Sequence, residues 1–173
     1  KLVCHPMKGA THYNKFKELV PIEDVYFEES IDGTLINIFF YKDEIHISTK
    51  GCIDAKRSYW GSSKSFYSMF NEACNFDLEE LNKKYCYSFV LAHKDNRIVT
   101  RHSNSLIYLV HVRDMTTNKV LTPEELSCLT IPFKRPNKLF FDSYEELEQT
   151  LDEYSYEKEG VMLFNKKDIS MRV

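Results

Sequence analysis

Apolar and polar residues alternate along two neighbouring stretches, "TLINIFFY" (34–41) and "EIHISTK" (44–50), with Lys42-Asp43 between them. A period of two marks half-buried strands, and a two-residue interruption predicts a hairpin, although Lys-Asp is not the favoured Asn-Gly or Asp-Gly pair. The same alternation predicts strands in "YCYSFVLAH" (85–93), residues 98–100 and "SLIYLVHVRD" (105–114), followed by a turn at 116–119. A last hairpin is expected from 161–164 and 169–173, turning at "NKKD". Helical spacing appears elsewhere. "KSFYSMFNEAC" reads as a helix, and "DLEELNKK" (77–84) as a second, with Asp77 as N-cap and Glu80 three places on. "TPEELSCL" places Pro123 at the first helical position, where its missing N–H costs nothing. "DSYEELEQTLDEY" (142–154) carries apolar or aromatic residues at 144, 147 and 151. "HPMKGATHYNKF" (5–16) reads as loop, and "IPFKRPNKLFF" (131–141) as an extended connector, because Pro132 and Pro136 exclude helix there.

Strands and helices interleave without a strict βαβ rhythm. The expected class is α+β, with antiparallel sheets flanked by helices. The 173 residues fit one domain spanning 1–173, and the ends, at Lys1 and at "DISMRV", look truncated.

Composition narrows the function classes. With 43% hydrophobic and 28% charged residues the chain is an ordinary globular mixture. A net charge of −3 argues against holding nucleic acid by bulk electrostatics, so such binding needs a local basic stripe. Five cysteines at irregular spacing give neither a disulfide framework nor a zinc pattern, and a reducing, intracellular (cytoplasmic) compartment is the expectation. No stretch approaches the ~18 apolar residues of a membrane span. His12, His46, His93, His102 and His111 show no ligand spacing. There is no P-loop and no nucleophile elbow. "KRPNK" (134–138) reads as a solvated connector with a lesser claim on a phosphate backbone, and Tyr59 and Trp60 as packing residues with a lesser claim on bases.

Five pieces in order carry a resemblance. They are Ser30-Ile31-Asp32-Gly33, Ser48-Thr49-Lys50-Gly51-Cys52, Tyr87-Ser88-Phe89-Val90 with Asn96-Arg97-Ile98-Val99, Leu109 to Arg113, and Glu159-Gly160-Val161-Met162. Together they resemble the nucleotidyltransferase domain of T-even phage-type RNA ligases, of the covalent nucleotidyltransferase superfamily. The resemblance covers nearly the whole chain and implies the ATP-grasp-like domain of RNA and DNA ligases. It also implies ATP and Mg2+ as cofactors, and nucleotide and RNA as partners. A fifth family motif, a strand with two lysines, is expected to begin beyond Val173.

In that family a motif lysine attacks the α-phosphorus of ATP, and the AMP passes to a 5′-phosphate before a 3′-hydroxyl displaces it. The attack needs an amine whose free pKa of about 10.4 is lowered by its surroundings. Here Ser30 occupies the lysine position, Val90 the third-motif glutamate position, and His5 the place of an upstream arginine. A serine cannot form the phosphoramidate. The resemblance assigns catalytic positions to Ser30, Lys50 and Glu159. Nucleotide-binding positions fall to Ser30, Asp32, Gly33, Lys50, Val90, Arg97 and Glu159, and a metal position to Glu159. The leading expectation is a degenerate, ligase-like domain that binds ATP or RNA without lysine adenylylation. The alternatives are an active ATP-dependent RNA ligase and a structural or protein-interaction domain. Oligomeric state stays open.

Overall fold

The computed structural model describes residues 3–5, 9–129, 133–155, 158–169 and 171–173. Its strands are β1 (Val25–Glu29), β2 (Thr34–Tyr41), β3 (Glu44–Thr49), β4 (Tyr85–Ala92), β5 (Leu106–Asp114), β6 (Lys138–Leu139) and β7 (Val161–Asn165). The α-helices are α1 (Tyr13–Leu19), α2 (Phe66–Ala73), α3 (Pro123–Ser127) and α4 (Tyr144–Asp152). The fold is α+β, and the pairs in both sheets are antiparallel. The chain forms two compact units.

The larger unit, 32–135 together with residues 3–5, holds a four-stranded sheet in the order β3-β2-β4-β5. Alternation decides its two faces. Ile36, Ile38, Ile47, Tyr87, Phe89, Leu91, Ile107, Leu109 and Val112 form the dry side with α2, which contributes Phe66, Met69 and Phe70 at the spacing of one helical face. Each such side chain, fully buried, stabilises the unit by about 1.5–3 kcal/mol. Ser65 caps α2 by accepting the Ser68 N–H. The β2–β3 turn is the tight hairpin form, with positive φ at both Lys42 (52°) and Asp43 (61°).

The smaller unit, 9–31 and 136–173, has the sheet β6-β1-β7 packed on α1 and α4. Phe16, Val20, Val25, Phe27, Tyr144, Leu147 and Leu163 make its core. The buried Tyr144 hydroxyl donates to the Val20 carbonyl at 2.6 Å, which satisfies the one polar atom that the ring carries inward.

Four sequence expectations change. The loop read over 5–16 gives way to α1 from Tyr13, because Phe16 and Val20, four apart, anchor a helix to the core. The helix expected over 77–84 contracts to a single 3-10 turn, Leu78–Glu80: Asp77 accepts from the Glu79 N–H, two places on, and does not start an α-turn. Residues 98–100 are a bend, since the Val99 and Thr100 N–H groups go to a carboxylate and not to a strand. The last strand shortens to an Asn165 N–H bond to the Met171 carbonyl and a reciprocal pair of backbone bonds between Leu163 and Val173. At Thr122 the capping box is complete, with Thr122 and Glu125 each accepting the other's backbone N–H. Part of the expected connector, 131–132, lies outside the described residues.

Candidate functional site

The second face of the four-stranded sheet is polar, and strand register assembles it in rows. Ser48 lies opposite Asn37, Asn37 opposite Ser88, and Ser88 opposite His111. One row along, His46 lies opposite Phe39, and Cys86 opposite Arg113. In the other direction Leu35, Val90 and Tyr108 align. A bulge between Ser88 and Phe89 leaves an extra residue on β5, and the register shifts there without turning Tyr108 off this face. Asn37, Ser48, Ser88, His111 and Arg113 are all buried, so the polarity is built in at the cost of desolvation. Part of that cost is offset within the row: the Ser88 hydroxyl donates to Asn37 Oδ1 at 2.8 Å.

Against this face lies a cavity of about 450 Å³, lined by Asn37, Phe39, Ser48, Thr49, Lys50 and Cys52 among others. Lys50, just past the end of β3, is its exposed cation. The hydroxyl, amide and ammonium groups fit a ligand that combines hydrogen-bond acceptors with negative charge, as a nucleotide phosphate does.

Asp32 and Gly33 serve the frame at the entry to β2. Asp32 is 4% exposed, and its Oδ2 accepts the backbone N–H groups of Val99 (2.8 Å) and Thr100 (2.7 Å). His102 Nε2 lies 3.0 Å from the Asp32 carbonyl oxygen. Asn96 adds a bond to Thr34 at 2.9 Å, so the segment after β4 is tied back to the start of β2. Gly33 passes so close to β4 that a Cβ there would lie 2.4 Å from the Leu91 carbonyl oxygen and 2.8 Å from Val90 Cγ1. Only glycine fits. Arg97 is exposed, and its Nε–H donates to the Val99 carbonyl.

The structure thus brings Asp32, Gly33, Val90, Arg97 and Lys50 into the larger unit. Ser30 and Glu159 belong to the smaller one, where the Ser30 N–H donates to the Gly160 carbonyl at 3.0 Å and extends the β1–β7 ladder. Gly160 has φ of 142°, a backbone shape that an L side chain rarely adopts. Sequence reasoning assigned no site role to Asn37, Ser48 or Ser88. The signal was present, a polar residue in the middle of each apolar strand, but only register shows that they share a row.

A second cluster escaped the histidine-spacing argument. Ligand atoms of Glu72, His93 and Asp95 lie within 4.8 Å of one another. They make a poor metal centre, because Lys64 Nζ stands 2.9 Å from both carboxylates and already supplies the cation. The Asp95 N–H donates to His93 Nδ1 (3.1 Å), which leaves the neutral ring's proton on Nε2, 3.3 Å from Glu72 Oε2. Burial pushes His93 below the usual histidine range, and the Lys64 hydrogen bonds hold Glu72 and Asp95 below the usual carboxylate range.

This architecture is the nucleotidyltransferase fold of ATP-dependent RNA and DNA ligases. A protein provisionally assigned as an ATP-dependent DNA ligase of Aquifex aeolicus superposes on 98% of this chain and 48% of its own (TM-score 0.70, 16% identity). An RNA ligase variant of Naegleria gruberi with ATP and Mn covers 96% of this chain and 54% of its own (TM-score 0.66, 13% identity). In sequence the chain is similar to an RNA ligase of Rhodothermus phage RM378, 30% identical over 103 residues, 53% of this chain and 23% of that protein. It is also similar to an immediate-early protein ICP-46 homolog of Invertebrate iridescent virus 3, 25% identical over 167 residues, 88% of this chain and 35% of that one. No family model matches. The chain spans under two fifths of the curated relatives it matches. Among the described residues no helix is long and apolar enough to cross a membrane.

Proposed function

We propose that this chain is an RNA-ligase-type nucleotidyltransferase domain that holds ATP, or the end of an RNA, without forming a lysine–AMP bond. The observation that carries the reading is the combination of a ligase fold with a hydroxyl at position 30 and a valine at position 90. Val90 lies on the polar sheet face, aligned with Leu35 and Tyr108, where it can neither hold a ribose hydroxyl nor orient a cation. Asp32 and Gly33, from the first of these motifs, hold the entry to β2. Lys50 would attract the phosphates, and Asn37 and Ser48 would border the ligand.

When bound, ATP would supply an electrophilic phosphorus. At position 30 this chain offers only an alcohol, which needs a general base to attack. A divalent cation travelling with the phosphates is in keeping with the Mn of the Naegleria structure. The Glu72–His93–Asp95 cluster is not its site, since Lys64 fills it.

The test is incubation with α-32P-labelled ATP and magnesium or manganese, followed by denaturing electrophoresis and, in parallel, a native filter-binding measurement. Retention on the filter with no label on the denatured chain is the expected result. A covalent adduct would instead establish the active-ligase alternative, and loss of both signals would leave a scaffold.

A further inference from the structure

Two of the five cysteines approach each other across 82 positions of sequence: Cys4 Sγ and Cys86 Sγ are 3.5 Å apart. Cys86, in β4, is fully buried, whereas Cys4 is partly exposed and lines the cavity that holds Lys50. The surroundings suit sulfur chemistry. Arg113 lies directly across the ladder from Cys86 and is 4% exposed. Its Nη1–H donates to the Asn118 carbonyl at 2.8 Å, and its Nε–H meets no acceptor among the described residues. The Cys4 thiol, the His5 backbone N–H and the Arg113 guanidinium hold Cys86 below the usual thiol range, and the same shared bond, with burial, pushes Cys4 up.

We propose that Cys4 and Cys86 are a redox-sensitive pair that a hydroperoxide closes into a disulfide, tying the segment 3–5 to β4. Cys4 is the sulfur that an oxidant in solvent can reach. Its proton passes across the shared contact to the Cys86 sulfur, the Cys4 thiolate takes one oxygen from hydrogen peroxide to become a sulfenic acid, and the hydroxide released takes a solvent proton to leave as the first water. The Cys86 sulfur then attacks Cys4 Sγ, the S–S bond forms, and the S–O bond breaks. The departing hydroxide takes the Cys86 proton and leaves as the second water. The two sulfurs lose two electrons and the peroxide gains two. A thiol reductant reverses the bond. Because Cys4 lines the cavity beside Lys50, the bridge would fix one wall of that cavity, and it does so whether or not the cavity holds a nucleotide.

The experiment uses the full chain and a Cys52→Ser/Cys74→Ser/Cys128→Ser variant that keeps only this pair. Each is exposed to hydrogen peroxide, alkylated and mapped by peptide mass spectrometry. Free thiols should fall from five to three in the wild type. In the variant both should disappear, with one Cys4–Cys86 cross-linked peptide that dithiothreitol releases. Retention of both thiols, oxidation of either sulfur to a sulfinic acid without a bridge, or pairing of Cys86 with another cysteine would overturn the proposal. If the variant fails to fold, the wild-type peptide map decides by the same criteria.

Discussion

At position 32 a residue of the first ligase-like motif is committed to holding backbone. Its carboxylate accepts two amide N–H groups from the segment after β4, and it is almost fully buried. Charge-assisted bonds of this kind are worth more than neutral ones, and an unfilled acceptor site leaves both donors to find water. Asp32→Ala should therefore destabilise the fold by about 2 kcal/mol, read as a lower urea midpoint, with Asp32→Asn losing less. An unchanged midpoint for the alanine variant would mean that the clamp contributes nothing. Gly33, beside it, is fixed by the closeness of the Leu91 carbonyl oxygen. Both residues thus serve the entry to β2, Asp32 through its carboxylate and Gly33 through the absence of a side chain.

At the scale of elements, what could be read in the sequence was what alternation and capping control. The strands 34–41, 85–92 and 106–114, the helix that opens at Pro123 and the 144–152 helix follow from local pattern alone. Residues 98–100 could not be read correctly, because the partner that captures their N–H groups is a side chain 67 positions away. Nor could α1, whose short amphipathic turn is decided by packing against the smaller unit's core. The β2–β3 hairpin shows a local mismatch that the fold tolerates: Lys42 and Asp43 both take the left-handed conformation, which costs a residue with a Cβ about 1 kcal/mol. Asp43→Gly should accordingly raise stability by about 0.5–1 kcal/mol in thermal unfolding without changing the strand register. A lower melting temperature would show that the aspartate makes a compensating contact.

Across the whole molecule, the candidate site was legible as motif positions but not as a surface. The sequence pointed to Lys50 and Val90 separately, whereas the polar rows of Asn37, Ser48 and Ser88 exist only once strand register is known. Positions 32 and 33 bear on folding, and the proposed function makes 30 and 90 the positions that bear on chemistry. On the proposed function, the chain keeps a ligase fold and a phosphate-attracting cavity with no amine at position 30.

The most direct measurement of that account is a calorimetric titration of ATP, with magnesium or manganese present, into the wild-type chain and into Lys50→Ala. The wild type should bind one nucleotide saturably, and the variant roughly tenfold more weakly, a loss of about 1.4 kcal/mol. No saturable binding by the wild type, or equal affinity in the two proteins, would contradict it.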